Sequence, residues 1–332
     1  MKRLFVLCTL IMAFISGYAQ IMKDSTIQVV AYWNLGDKYK YKYHSQAYTV
    51  EGNDTIWGDK TDELFTIEVV DSTANGYILE YRCLEDVHDM VDKTTQAILQ
   101  PVMDKYKGLP YRFSTNRHGA FQDLANWEEI QQAMDSIMVD IKAGLHNYYL
   151  EGAKKEGLDS IPAEAKQQIE AFIDHIFGQM KSKEWTLVGM DYIISPLFYH
   201  GARLDLNREY SYKQKYVSPW IPTEMVEADE SFYIDKVDYE TSWTTFHRIQ
   251  KYDAGELLAT FMKFLMQSYP EEQVKQLTPE QIPFLMVETF FDLDVHVDTG
   301  WPGTTYYQKV VQVGEKQRVN TWYLNMYFDE DE

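Results

Sequence analysis

Apolar and polar residues alternate in steps of two through much of this chain, the register of strands with one buried face. In "DKYKYKYHS" (37–45), Lys38, Lys40 and Lys42 fall on one side and Tyr39, Tyr41 and Tyr43 on the other, which predicts a half-buried strand with its tyrosines turned inward. "DELFTIEVVD" and "YILEYRCL" repeat the pattern on either side of "STANG", a hairpin in which Asn75-Gly76 supplies the positive φ values. "YRFSTNRHGAFQDL" predicts a second hairpin, turning at Asn116 to Gly119.

The spacing then changes to three and four. Asn126 reads as a helix N-cap with Glu129 placed to complete a capping box, and Trp127, Ile130, Met134, Ile137, Met138, Ile141 and Leu145 make one stripe. A further stripe, with Ile169, Phe172, Ile173, Ile176, Phe177 and Met180, predicts a helix from about Pro162 to Lys181. Strands return after about residue 185 in "WTLVGMDYIISPLFY", "LDLNREYSYKQKYV" and "SFYIDKVDYETSWTTFHRIQKY". "DAGELLATFMKFLMQS" predicts a short amphipathic helix. "TPEQIPFLMVETFF" begins another, capped by Thr278 with Pro279 at its first position, although Pro283 falls where a backbone donor is needed. "TTYYQKVVQVGEKQRVNTWYLNMYF" closes the pattern as a hairpin turning near Gly314.

Strands, helices, strands, a helical insertion and strands, without strand-helix alternation, define an α+β fold with an antiparallel sheet packed against amphipathic helices. One domain over 20–332 is the simplest organisation, with strands at about 28–84 and 111–124, helices at about 127–181, and strands with the insertion at about 185–328.

The first twenty residues change the picture. Lys2 and Arg3, the apolar run Leu4 to Ile15 and the site Gly17-Tyr18-Ala19 have the order of a secretory signal peptide over 1–19, and the run is shorter than the roughly 18 residues a membrane span needs. The expected mature protein is exported, periplasmic or extracellular, and soluble. Cys8 leaves with the leader, so Cys83 remains as a single thiol, and a disulfide or multi-thiolate metal site is excluded. The formal charge of −20 becomes about −22 without Lys2 and Arg3, 29 cations against 51 carboxylates. A surface that acidic repels phosphate backbones, so nucleic acid is not an expected partner.

Chemistry is sparse. No nucleophile elbow, P-loop, dinucleotide fingerprint or H-E-x-x-H motif occurs, and no cofactor is expected. In "DLDVHVDTGW", Asp292, Asp294, His296 and Asp298 would share one face of a strand; Asp294, His296 and Asp298 are weak metal candidates, because neighbours two apart diverge by about 6 to 7 Å. His118 falls on a turn, and His88 and His247 have no matched partner in sequence. "TGWPG" holds Trp301 in a rigid turn, as a ligand-stacking ring or one packed onto the sheet. Five Asp-Ser/Thr triplets resemble the short O-glycosylation pattern of extracytoplasmic Bacteroidota proteins; Ser25, Thr55, Ser72 and Ser160 lie in expected turns, Ser136 in a helix.

The leader ending in "YAQ", the strands after "LGDKYKYKY" and the "DTGWPG" turn before a final hairpin together resemble a large set of exported proteins of Bacteroidota. An architecture similar to lipoprotein carriers, a curved, half-barrel-like sheet with helices over its concave face, is implied by analogy. Three functions follow. The first is binding of an apolar or lipid-like ligand between sheet and helices, with Tyr39, Tyr41, Tyr43, Phe261, Leu265 and Trp301 as its wall. A non-catalytic interaction or structural role in the envelope is the alternative, and a carboxylate-dependent hydrolase ranks last because nothing selects a pair among 51 carboxylates.

Overall fold

The computed structural model describes residues 25–155, single positions between 157 and 170, 182–268 except 198, 219, 222 and 236, then 274 and 284–327. The expected leader, most of the helix expected over Pro162 to Lys181, and Thr278 with Pro279 lie outside the described residues.

The strands are β1 (Thr26–Gln28), β2 (Lys38–Glu51), β3 (Asp54–Thr73), β4 (Gly76–Asp89), β5 (Tyr111–Thr115), β6 (Phe121–Leu124), β7 (Arg203–Asp205), β8 (Tyr210–Val217), β9 (Met225–Ile234), β10 (Trp243–Tyr252), β11 (Leu285–His296), β12 (Pro302–Val313) and β13 (Lys316–Tyr327). The helices are α1 (Lys93–Tyr106), α2 (Trp127–Lys155), α3 (Lys183–Gly189), α4 (Asp191–Ile194) and α5 (Ala254–Ser268). Eleven strands form one antiparallel sheet in the order β6-β5-β4-β3-β2-β13-β12-β11-β10-β9-β8. Each strand follows its neighbour in sequence except at one seam, where β2 pairs with β13 along twelve residues and joins the two ends of the chain. The sheet is open, with edges at β6 and β8. The α+β class and the antiparallel sheet therefore stand as expected.

Period-two patterning sorts the sheet into two faces. One carries Tyr41, Phe65, Leu79, Phe113, Phe246, Phe291, Leu293 and Leu324, all fully buried. The segment 25–34 crosses this face, inserting Ile27, Val29, Ala31 and Trp33; it is held by Ala31 N–H to the His118 carbonyl at 2.8 Å, by Gly201 N–H to the Val29 carbonyl at 2.7 Å, and by β1 pairing with β7. The start of α2, α4 and the 3-10 turn Ser195–Leu197 cover the same face through Ile130, Ile193, Ile194 and Leu197. At the other end α5 packs Leu257 against Val226 and Val287 in a separate, smaller core. Among the described residues, no helix is long and apolar enough to cross a membrane.

Three local readings are corrected and one helix is added. "WTLVGMDYII", expected as strand, is helical: Ser182 caps α3 by accepting from the Trp185 N–H at 3.1 Å, and the buried positions Thr186, Met190, Ile193, Ile194 and Leu197 recur at helical spacing. The helix expected from Thr278 does not extend through "LMVETFF", which is the start of β11; Leu285, Val287, Thr289 and Phe291 are buried at strict period two. Helix α1 is not among the expected elements, although Ile98, Leu99, Val102, Met103 and Tyr106 recur at helical spacing; it starts after Asp92, whose carboxylate accepts from the Thr94 N–H. Asn126 does precede α2, and its amide donates to Glu129 at 3.0 Å, but its carbonyl accepts from the Arg112 N–H at 2.8 Å, which ties the helix to β5 instead of closing a box.

Candidate functional site

The covered face is not uniformly apolar. Glu63 on β3, Glu230 on β9, Arg248 on β10 and Lys309 on β12 all occupy inward registers of alternating strands, because each sits two residues from a core side chain: Phe65, Phe232, Phe246 and Tyr307 respectively. A band of charge thus crosses the middle of the sheet under the helices, and α4 sits over it. Tyr192 of α4 turns toward Glu63, while Asp191 supplies negative charge to Arg248 and Lys309.

On the Tyr192 side the surface opens into a cleft of about 220 Å³ between β3, β4 and the C-terminal end of α1. Its walls are Tyr81, Tyr106, Tyr111, Met103 and Leu109, with Glu63, Cys83, Asp86, His88 and Lys107 around them. Both oxygens of Glu63 are occupied, Oε1 by the Tyr81 hydroxyl and Oε2 by the Tyr192 hydroxyl at 3.2 Å. Burial pushes Glu63 up to about 7 against hydrogen bonds from Tyr192 and Cys83, and the charge on Asp86, its cross-strand partner, adds to the rise. Asp86 is also partly desolvated, but its contacts with Lys107 at 2.8 Å and His88 at 3.1 Å outweigh that and hold it below the usual carboxylate range. Cys83 is pushed up to about 12 by burial, then by the charges of Glu63 and Asp86, so it is a thiol and not a nucleophile. Neighbouring carboxylates with separated pKa values are the raw material of acid–base chemistry. Here the tyrosine hydroxyls already claim both oxygens of Glu63, an arrangement that orders a binding wall better than it frees a proton donor.

On the Asp191 side, Glu230 is only 4% exposed and accepts from the hydroxyls of Tyr212 and Tyr216 and from the Gln250 amide at 2.7 Å. Gln250 in turn accepts from Thr289 at 2.7 Å, so the carboxylate is fully engaged by its own network. A second hollow, of about 510 Å³, lies across β8, β9 and β10. Its lysines are already paired, Lys213 with Glu227 at 2.8 Å and Lys251 with Glu288 at 2.7 Å.

The residues selected from sequence do not converge on one site. Tyr41 is fully buried and donates to the Pro302 carbonyl at 3.0 Å, Tyr39 packs on Trp301 at 4.8 Å between ring centroids, and Trp301 packs on Trp33, also at 4.8 Å. These three are core. Tyr43 lies nearer the band, 4.3 Å from the Tyr192 ring. Phe261 packs on Trp220 at 5.3 Å, at the margin of the other core, and Leu265 is half-buried on α5. On the opposite face, Asp294 accepts from Thr245 at 2.6 Å, His296 contacts Thr299 at 3.0 Å and Asp298 accepts from Ser242 at 2.6 Å, three separate partnerships and not one ion site. Among the described residues no group of three or more His, Cys, Asp or Glu is arranged to hold a metal. Ser25, Thr55, Ser72 and Ser160 are all exposed. Sequence reasoning missed Glu63, Glu230, Arg248 and Lys309, although a charged residue in the inward register of an alternating strand was the available signal. His88 and His247 do have partners, Asp86 for the first and Asp235 with Asp292 for the second.

Comparison with protein-family models and with curated proteins finds no match for this chain.

Proposed function

We propose that the chain is an exported binding protein, periplasmic or extracellular, which holds an apolar or lipid-like ligand between sheet and helices with the ligand's polar end in the Glu63 cleft. In this reading the open sheet curls into a half-barrel of the lipoprotein-carrier kind, and the face bearing Glu63 is its inner wall. The observation that carries it is the cleft itself: 220 Å³ of space walled by three tyrosines, a methionine and a leucine, with a carboxyl near neutrality at one side. Rings and thioether suit an apolar segment, and Glu63 with Asp86 suits a hydroxyl or amine at its end.

Native mass spectrometry of protein from its own host tests this directly. A non-covalent mass that leaves on denaturation is expected, together with a thermal shift from detergents or fatty alcohols that Leu109→Trp, which fills the cleft, removes. Bare protein whose melting neither ligand class moves would sink the reading. An envelope interaction role is the second reading, favoured by a separate observation: Ile56, Trp57, Val87 and Val91, at one end of the β3–β4 pair, are each about 60% exposed. Partner capture abolished by Trp57→Ser, with no ligand in the purified protein, would decide for it.

A further inference from the structure

Five buried side-chain polar atoms lack a hydrogen-bond partner among the described residues; two of them belong to residues packed on the Phe291 ring, and a third lies on the next strand opposite Leu293. They are Nε of Arg248, the hydroxyl of Tyr199 and Oγ1 of Thr305. The Arg248 guanidinium lies over the Phe291 ring at 4.7 Å, and Tyr199 packs on the same ring from above at 6.1 Å between centroids. Phe291 pairs across the ladder with Arg248 on one side and Tyr307 on the other; Thr305 and Lys309 flank Tyr307 on the same face. Buried polar groups are satisfied in more than about nine cases in ten; the Tyr199 hydroxyl lies close enough to the Arg248 guanidinium to interact with it, and Nε of that guanidinium still calls for a partner. All three can donate, and the ammonium of Lys309 adds further donors.

We propose that this place binds an anion, a carboxylate or phosphate group seated between Arg248 and Lys309 beneath Tyr199. The two strands that carry the cations are two spacings apart, about 10 Å, and the reach of Arg248 over Phe291 narrows that gap to what one multi-oxygen group spans. Protein carboxylates do not fill the role. Glu230 is engaged by Tyr212, Tyr216 and Gln250, and Asp191 accepts from Ser195 at 2.5 Å; both influence the cations by charge without forming an ion pair with either among the described residues. Burial draws the Lys309 ammonium below its ordinary value, with Asp191 opposing, as for a cation short of a close counter-charge. Burial would lower Arg248 too, but Tyr199, Asp191, Glu230 and Tyr216 together raise it, so a guanidinium remains there at every working pH. Tyr307 and Tyr252, both raised by burial, are neutral donors beside it. The site lies across α4 from the Glu63 cleft and does not depend on what that cleft binds.

Calorimetry on the full mature chain with inorganic phosphate, decanoate and decanol tests the assignment. Saturable heat is expected from phosphate or decanoate, with at least a tenfold loss of affinity in both Arg248→Met and Lys309→Met, whereas any heat from decanol, which the Glu63 cleft would take, is unaltered by the two variants. Heat from phosphate marks a free anion, and heat from decanoate alone marks the head of an amphiphile; either supports the site. Absence of heat from both anions, or affinity unaltered by the two variants, overturns the proposal. Should the variants not fold, carbon-13 NMR of the lysine ε-methylenes in the unaltered chain decides: the Lys309 midpoint rises when the anion is present, and a midpoint that does not move refutes the site.

Discussion

The hydroxyl of Tyr192 donates to Oε2 of Glu63 at 3.2 Å, joining α4 to β3 across 129 residues of sequence. That bond fastens a four-residue helix, too short to hold itself together, onto a strand position where a carboxyl faces the core. It also sets the character of the cleft, because the carboxyl it restrains is the group whose charge changes near neutral pH.

Stability should therefore fall with rising pH across a defined window. Burial lifts Glu63 from 4.5 to about 7, so between those values the folded chain retains a proton that the unfolded chain has released. Stabilisation is full below about pH 4.5 and is lost as pH rises through 7. In Glu63→Gln this part of the dependence disappears, and the variant melts above the wild type at pH 8. Melting curves from pH 4 to 8 check it; identical slopes for both proteins would mean that Glu63 titrates normally.

His247 should act on stability in the same direction from the other face of the sheet. Burial alone would lower it, but Asp235 at 3.1 Å and Asp292 at 2.7 Å raise it above 6.5; Tyr233 stacks on the ring at 4.6 Å. A histidine with a raised folded pKa stabilises fully below 6.5 and loses that contribution as pH rises through its folded value. Proton NMR of the imidazole should place the midpoint above 6.5, and Asp292→Asn should bring it down. A midpoint at or below 6.5 in the wild type would contradict the geometry.

Much of this fold could be read from periodicity, and the exceptions have physical causes. The tyrosine comb 39, 41, 43 turns inward as its spacing demands, and Lys38 stays in water on Glu68 at 2.8 Å. Hairpins at Gly119 and Gly314 and the helix Ala254–Ser268 follow equally local signals. In 183–197, by contrast, the apolar residues "WTLVGMDYII" satisfy strand and helix templates alike, and the deciding features are the cap at Ser182 and the fit of Ile193, Ile194 and Leu197 onto a sheet made elsewhere in the chain. The charged band was harder still. Glu63, Arg248 and Lys309 are ordinary strand charges until the register of several distant strands shows that they share one covered face.

Removing one oxygen should measure how firmly the comb is set. Tyr41 is fully buried and its hydroxyl donates to the Pro302 carbonyl at 3.0 Å, so Tyr41→Phe keeps the ring and abandons the bond. A loss of about 1–2 kcal/mol is expected, against about 3–5 kcal/mol for Tyr41→Ala, which also opens a cavity. Urea unfolding gives both values. Equal losses would mean that the hydroxyl carries the contribution and the ring little.

Gly119 should tolerate no side chain at all. It turns between β5 and β6 at φ +95°, and a Cβ there would lie 2.6 Å from the Ala31 Cβ and 2.8 Å from the His200 ring. Ala31 belongs to the segment that crosses the core, and His200 is fixed by its ring nitrogen contacting the Gly300 carbonyl at 2.7 Å, so neither neighbour has room to retreat. Backbone strain and overpacking together should make Gly119→Ala cost about 2–4 kcal/mol. Because the displaced segment is the one that closes this end of the face, hydrogen exchange should speed up at Ala31, whose N–H bonds the His118 carbonyl, before it does so in the β2–β13 ladder. Uniform acceleration across both would mean that the segment and the sheet unfold as one unit.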